Sequence, residues 1–182
     1  MRELSLHILD LAQNSLTANA SRLDILVGVD HAKDRLTITL SDDGKGMSPE
    51  FVKNVVSPFT TTRTTRKVGL GIPMFKANAE LTGGSFDIWS QQGVGTRLTA
   101  EFVLSSIDRP PLGDLPATMI SLVVSNPAFH FHLEYTVDGQ AFSFDTEEIR
   151  QVLDGVPLDT PEVVSWMEGY LKEGMDSLHG GA

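Results

Sequence analysis

Asp10, Asn14 and Asp42, read with three glycine-rich turns, are the residues of this 182-residue chain whose types and spacing could do chemistry. Asp42 heads Asp42-Asp43-Gly44-Lys45-Gly46-Met47 at the end of a strand-like run, where a carboxylate can accept a hydrogen bond from an exocyclic amine. Gly44 and Gly46 would let the backbone approach a flat ring, since a Cβ at either position would intrude. Asn14 offers a neutral oxygen of the kind Mg2+ accepts while keeping most of its waters. Asp10, four residues earlier on the same side of a helix, could orient or deprotonate a water beside a γ-phosphate. Gly69-Leu70-Gly71 opens another helix, whose free N–H groups and dipole attract phosphate. Arg63, Arg66 and Lys67 just before it could neutralise charge developing in phosphoryl transfer. No Gly-Lys-Ser/Thr follows these glycines, so the pattern is neither a P-loop nor a dinucleotide fingerprint. Asp42 with its glycines is by itself also a plain turn, and Asn14 by itself an ordinary surface amide. Together they describe a pocket for ATP with Mg2+.

The elements that must position these groups follow from periodicity. Leu4, Ile8, Leu11, Ala12, Ser15 and Leu16 recur at helical spacing, which predicts a helix from Leu4 to about Asn19 carrying Asp10 and Asn14. Alternation predicts strands over Arg22–Asp30 and Arg35–Ser41, joined as a hairpin. Ser48-Pro49 caps a short helix ending near Val56. Residues 57–68 lack an apolar period and read as a polar, basic loop that could close over a triphosphate. A helix from Leu70 to Leu81, a strand from Ser85 to Ser90, the turn Gly93-Val94-Gly95 and a strand from Thr96 to Leu104 complete this half. Pro110, Pro111, Gly113 and Pro116 mark a boundary. Beyond it the pattern predicts strands over Thr118–Val124, Ala128–Val137 and Gln140–Phe144, then two helices, one to about Leu153 and one from Thr160 to about Leu178.

Composition narrows the function classes. There is no Cys, which excludes disulfides, cysteine-zinc sites and a catalytic thiol. No run is long and apolar enough to span a bilayer, so the expectation is a cytoplasmic protein. Residues 1–106 hold 11 acidic and 11 basic residues, whereas residues 107–182 hold 13 and 3, so the net charge of −10 sits in the second stretch. That stretch repels nucleic acid and anionic lipid but could attract a basic protein. The expected partners are therefore ATP and a protein, with no nucleic acid and no membrane. His130 and His132 in a strand-like run read as structural, and His7, in the helix beside Asp10, reads as a residue behind the site or on the surface.

In their order along the chain, the four blocks resemble the N, G1, G2 and G3 boxes of the GHKL superfamily: gyrase, a heat-shock chaperone, histidine kinases and MutL. Pro58-Phe59-Thr60-Thr61-Thr62 followed by Val68-Gly69-Leu70-Gly71-Ile72 resembles most the lid and G2 box of histidine kinases, as does Leu81-Thr82-Gly83-Gly84 leading to Gly93-Val94-Gly95-Thr96. The resemblance covers about residues 4–104. It implies an α+β, Bergerat-type two-layer sandwich, with a mixed sheet and helices on one face. Residues 107–182 would then form a small acidic C-terminal α+β appendage of three strands and two helices. By position, the resemblance implies Asn14 as the Mg2+ ligand, Asp42 as the adenine-binding carboxylate with Gly44 and Gly46 after it, Thr96 as a support for adenine recognition, and Phe59 as a lid aromatic.

Two departures shape the functional expectation. Asp10 stands where hydrolytic members carry Glu, one methylene longer. Only about three residues precede the first helix, where histidine kinases carry a helical hairpin with the phosphoacceptor His. The expectation is thus a stand-alone regulatory kinase or ATPase acting on a partner protein. The alternative is a non-catalytic ATP-gated interaction module.

Overall fold

The computed structural model describes residues 3–56, 70–178 and 181. Among them run α1 (Leu4–Thr17), β1 (Arg22–Asp30), β2 (Arg35–Asp42), α2 (Pro49–Val55), α3 (Gly71–Leu81), β3 (Ser85–Gln91), β4 (Gly95–Val103), α4 (Leu115–Ser125), β5 (His130–Val137), β6 (Gln140–Asp145), α5 (Thr146–Leu153) and α6 (Pro161–Asp176). The strands form one mixed sheet in the order β3-β4-β2-β1-β5-β6, antiparallel throughout except for the parallel β1–β5 pair.

Each central strand alternates, so one face of the sheet is apolar and the other polar. Leu23, Ile25, Val27 and Val29 of β1 are buried with Leu36, Ile38 and Leu40 of β2 and Phe131, Leu133, Tyr135 and Val137 of β5. Helices cover that face in an order that follows the strands. α3 lies by β3 and β4, α1 by β2, α6 by β6, and α4 bridges α1 and α6. This is the α+β sandwich expected, with a single apolar core running through it.

Among the described residues, the stretch 107–182 contains two strands and three helices, not three strands and two helices. The β-branched run Ile120, Val123 and Val124 suggests a strand, yet Thr118–Val124 lies within α4. Asp114 caps this helix, accepting from the Ala117 N–H at 3.0 Å, and Leu115, Thr118, Met119, Leu122 and Val123 are buried at helical spacing against α1 and α6. Tertiary burial of that face overrides a weak local β preference. The whole stretch continues the sheet and the helical layer, since β5 pairs directly with β1.

The Pro-rich connection also serves α1. Glu3 supplies no side-chain cap. Instead the first free N–H groups of the helix, at Leu4 and Ser5, donate to the carbonyls of Pro111 and Leu112 at 2.9 and 2.8 Å. On the other flank, buried His7 accepts at Nε2 from the Asn78 amide of α3 at 3.0 Å and packs on Phe75. These contacts set the height and rotation of the helix that carries Asp10 and Asn14.

Candidate nucleotide-binding site

β2 ends on Asp42, whose cross-strand neighbour on β4 is Thr96. The Ser15 hydroxyl on α1 donates to one Asp42 oxygen at 2.6 Å, and the Gly44 N–H donates to the other at 2.8 Å. Each carboxylate oxygen has a second lone-pair direction, so the group is held in place and can still accept. Beside it, the Ser90 hydroxyl accepts the Met47 N–H at 2.8 Å and donates to the Gly95 carbonyl at 3.1 Å. With that proton committed, the Thr96 hydroxyl, 2.8 Å away, is the donor to Ser90, and the Thr96 oxygen keeps a lone pair.

Two glycines, Gly46 and Gly95, make this corner possible by letting backbone meet backbone. Gly46 has φ +70°, and a Cβ there would overlap the Gln91 carbonyl of β3. Gly95 has φ +147°, and a Cβ there would overlap the Asp42 carbonyl. The close approach is thus of protein to protein: the β2–α2 loop is pressed against the β3–β4 turn. Gly93 N–H donates to the Lys45 carbonyl at 2.7 Å, and Lys45 N–H donates to the Ala18 carbonyl at 2.9 Å. Asp43 braces the same loop from behind. It accepts from the Ser21 hydroxyl, from the Ser21 N–H at 2.7 Å and from the Arg22 N–H at 3.0 Å. Burial pushes the Asp43 carboxyl up, but these hydrogen bonds outweigh it and hold the group below the ordinary carboxylate value.

Above Asp42 opens a cavity of about 190 Å³. Its walls are largely apolar, with Leu11, Leu40, Met47, Phe51, Ile72 and Leu98 among the residues that bound it. A slot with such walls, ending on a carboxylate, suits a flat heteroaromatic ring with an exocyclic amine. Asn14 opens into the same cavity, and its amide makes no hydrogen bond among the described residues. α3 starts beside it: a Cβ at Gly71 would stand 4.0 Å from the Asn14 Nδ2. That helix has no side-chain cap hydrogen bond, with Leu70 at the N-cap position, and the dipole of its start faces the same side as Asn14. The donor set therefore fits Mg-ATP: an acceptor and apolar walls for the base, a side-chain oxygen for the cation, and a helix start for phosphate.

Of the residues expected from sequence, Asn14, Asp42, Gly46 and Thr96 line this cavity, Gly44 donates to Asp42, and Gly71 stands beside Asn14 with Leu70 before it at the helix N-cap. Asp10 is half-buried on α1, one turn before Asn14, and does not line the cavity. Arg63, Arg66, Lys67, Gly69, Phe59 and the proposed closing loop lie outside the described residues. Ser15 and Ser90 were missed. Ser15 reads as part of the core face of α1, and it is only 4% exposed. A hydroxyl on an apolar face must find a partner, and its place next to Asn14 was the available signal.

The fold and this corner define a nucleotide-binding α+β sandwich of the GHKL type. Residues 2–106 match the family described as histidine kinase-, DNA gyrase B-, and HSP90-like ATPase, and the chain belongs to that family. Among curated proteins it is 30% identical over 93 residues to the sensor histidine kinase ZraS of Salmonella typhi, covering 50% of this chain and 20% of that protein. It is 26% identical over 102 residues to the CAI-1 autoinducer sensor kinase/phosphatase CqsS of Vibrio cholerae, covering 56% of this chain and 14% of that protein. The chain thus spans a fifth or less of the length of these relatives. Among solved structures, the N-terminal domain of a DNA repair protein superposes with a TM-score of 0.53 at 14% identity, covering 79% of this chain and 52% of that one. That likeness is one of fold.

Proposed function

We propose that the chain binds Mg-ATP and works as a regulatory kinase or ATPase on a partner protein. The observation that supports this most is the Asp42 carboxylate, fixed by Ser15 and Gly44 at the end of an apolar slot with acceptor capacity to spare. In this reading Asp42 and Thr96 recognise adenine, with Gly44 and Gly46 shaping the loop around it. Asn14 supplies a metal ligand, and the backbone at Leu70 and Gly71 receives phosphate. Bound Mg2+ would neutralise charge on the triphosphate. Asp10 would orient or deprotonate the attacking group. No described helix is long and apolar enough to cross a membrane, and a cytoplasmic location is part of the proposal.

The alternative reading, an ATP-gated interaction module without turnover, draws on Asp10. Its side chain is one methylene shorter than Glu, and it does not line the cavity. Incubation with γ-labelled ATP and Mg2+, with and without candidate partners, separates the two. Released phosphate or labelled protein that disappears in Asp42→Asn supports the enzyme. Saturable ATP binding with neither product supports the module. Absence of ATP binding overturns both.

A further inference from the structure

Away from the nucleotide cavity, the outer flank of α6 carries an aromatic stack of which only Tyr170 reaches the core, through Phe142 and Phe144. Trp166 is 53% exposed and Tyr170 40% exposed. Their rings lie nearly parallel, 11° apart with centroids at 5.1 Å. Tyr170 is itself fixed, since its ring packs on Phe142 at 5.1 Å and its hydroxyl donates to the Ser143 carbonyl at 3.2 Å. Trp166 therefore stands on a rigid base with much of its surface in water. Exposed Trp and Tyr on a rigid base are the residue types that dominate binding hot spots.

The surroundings say what chemistry would cover this stack. Glu162 and Glu173 are exposed and share the Trp166 flank, at helical spacings of four and seven residues. Between Trp166 and Glu173 sits Gly169, where a Cβ would meet nothing within 4 Å, so the flank has a notch. An aromatic face rimmed by carboxylates is complementary to a guanidinium or ammonium group. The segment containing it, residues 107–182, has 13 acidic against 3 basic residues, so a second copy, nucleic acid or an anionic lipid surface would be repelled.

The neighbouring strand adds a preference of shape. β6 is the terminal strand of the sheet. Val137 and Gln140 flank the two-residue turn Asp138–Gly139 and so form a hydrogen-bonded pair; Phe142 and Phe144 follow in the same phase. Ala141 and Ser143 therefore turn their backbone groups outward, as the Tyr170 bond to the Ser143 carbonyl requires. Tyr170 takes the Ser143 carbonyl, which leaves the Ala141 N–H and carbonyl and the Ser143 N–H as the edge groups an extended chain can meet.

We propose that the Trp166–Tyr170 stack of α6, with Glu162, Glu173 and the outer edge of β6, is a docking surface for an extended arginine- or lysine-rich segment of a partner protein. A basic side chain lies on Trp166 between the two glutamates, while the backbone of the segment runs beside β6. The surface is separate from the nucleotide cavity, so its failure leaves the ATP reading intact.

The test uses the full chain without nucleotide and a fluorescein-labelled peptide of alternating arginine and serine, followed by fluorescence anisotropy. Trp166→Ala should weaken binding about tenfold, and so should Glu162→Lys combined with Glu173→Lys. Trp166→Phe should keep most of the affinity. The charge-matched control, Asp87→Lys with Asp108→Lys, should change it less than about twofold. Circular dichroism melts establish that each variant is folded. No binding by the unmodified chain, equal affinity in Trp166→Ala, or an equal loss in the control would overturn the proposal. So would a dimer in sedimentation that Trp166→Ala abolishes, which would make a second copy the occupant, or Trp166-dependent binding to single-stranded DNA or phosphatidylserine vesicles.

Discussion

Replacing Asp42 by Asn keeps the shape of the side chain but removes its charge and gives one of its two oxygens' places to a donor. The Gly44 N–H can only donate, so the Asn oxygen must stay opposite it, where the Asp42 oxygen now accepts at 2.8 Å. The new NH2 then falls where the Ser15 hydroxyl now donates at 2.6 Å. Ser15 can rotate and accept instead, so the fold survives with a weaker bond. A base amine is worse off. Where it met an acceptor it now meets a donor, and one charge-assisted hydrogen bond of about 1.5–3 kcal/mol is lost. ATP affinity should fall about tenfold to a hundredfold in calorimetry, with little change in the urea midpoint. Guanine carries a carbonyl where adenine carries its amine, so the same substitution should narrow the preference for ATP over GTP. Unchanged ATP affinity together with an unchanged ATP/GTP ratio would refute the reasoning that this carboxylate reads the base.

Three further expectations are accessible to simple measurements. Gly95→Ala forces a Cβ into the Asp42 carbonyl at φ +147° and should destabilise the chain by about 3 kcal/mol or more, read from urea denaturation; a loss below about 1 kcal/mol would contradict the packing described. Asn14→Ala removes the side-chain oxygen and should abolish the Mg2+ dependence of ATP binding, whereas retention of that dependence would place the metal elsewhere. Asp145→Asn should cost about 1 kcal/mol at neutral pH, because the carboxylate is bonded to His130 at 2.9 Å and to His132 at 3.3 Å while capping α5. Burial pushes the Asp145 carboxyl up, yet the His130 contact and the Glu147 and Glu148 N–H groups outweigh it, so its folded pKa is lowered. That stabilisation is present above the unfolded carboxylate value of about 3.9 and is lost as pH falls through the lowered folded value. The gap between wild type and Asp145→Asn should therefore close on acidification, and a constant gap down to low pH would argue against it.

The candidate nucleotide corner was legible in sequence as a cluster because its residues lie in short local motifs. Asn14 sits at fixed spacing within α1, Asp42 is the last residue of an alternating strand, and Gly95 and Thr96 follow a turn. The element boundaries of this half were also close, since β1 alternates throughout, β2 alternates in residue type, and α2 has both its Ser48 cap and Pro49. The reason for the glycines was not legible. Whether Gly46 yields space to a ligand or to Gln91 depends on a contact between residues 45 positions apart in the chain.

The sequence by itself determined the alternation that makes a one-faced sheet, the order of the four motifs, and the unequal split of charge between the two stretches. These are properties of residue type and spacing along the chain. Only the tertiary structure decided that Thr118–Val124 is helical, because burial between α1 and α6 outweighs the preference of its β-branched residues. It alone joined residues 107–182 to the sheet through β1 and β5, and it alone brought the Ser15 hydroxyl to Asp42. It also left Trp166 in water, stacked on the Tyr170 that reaches the edge of β6. Each of these rests on pairing between distant segments, where burial and hydrogen-bond satisfaction are settled by the neighbours a residue meets in space.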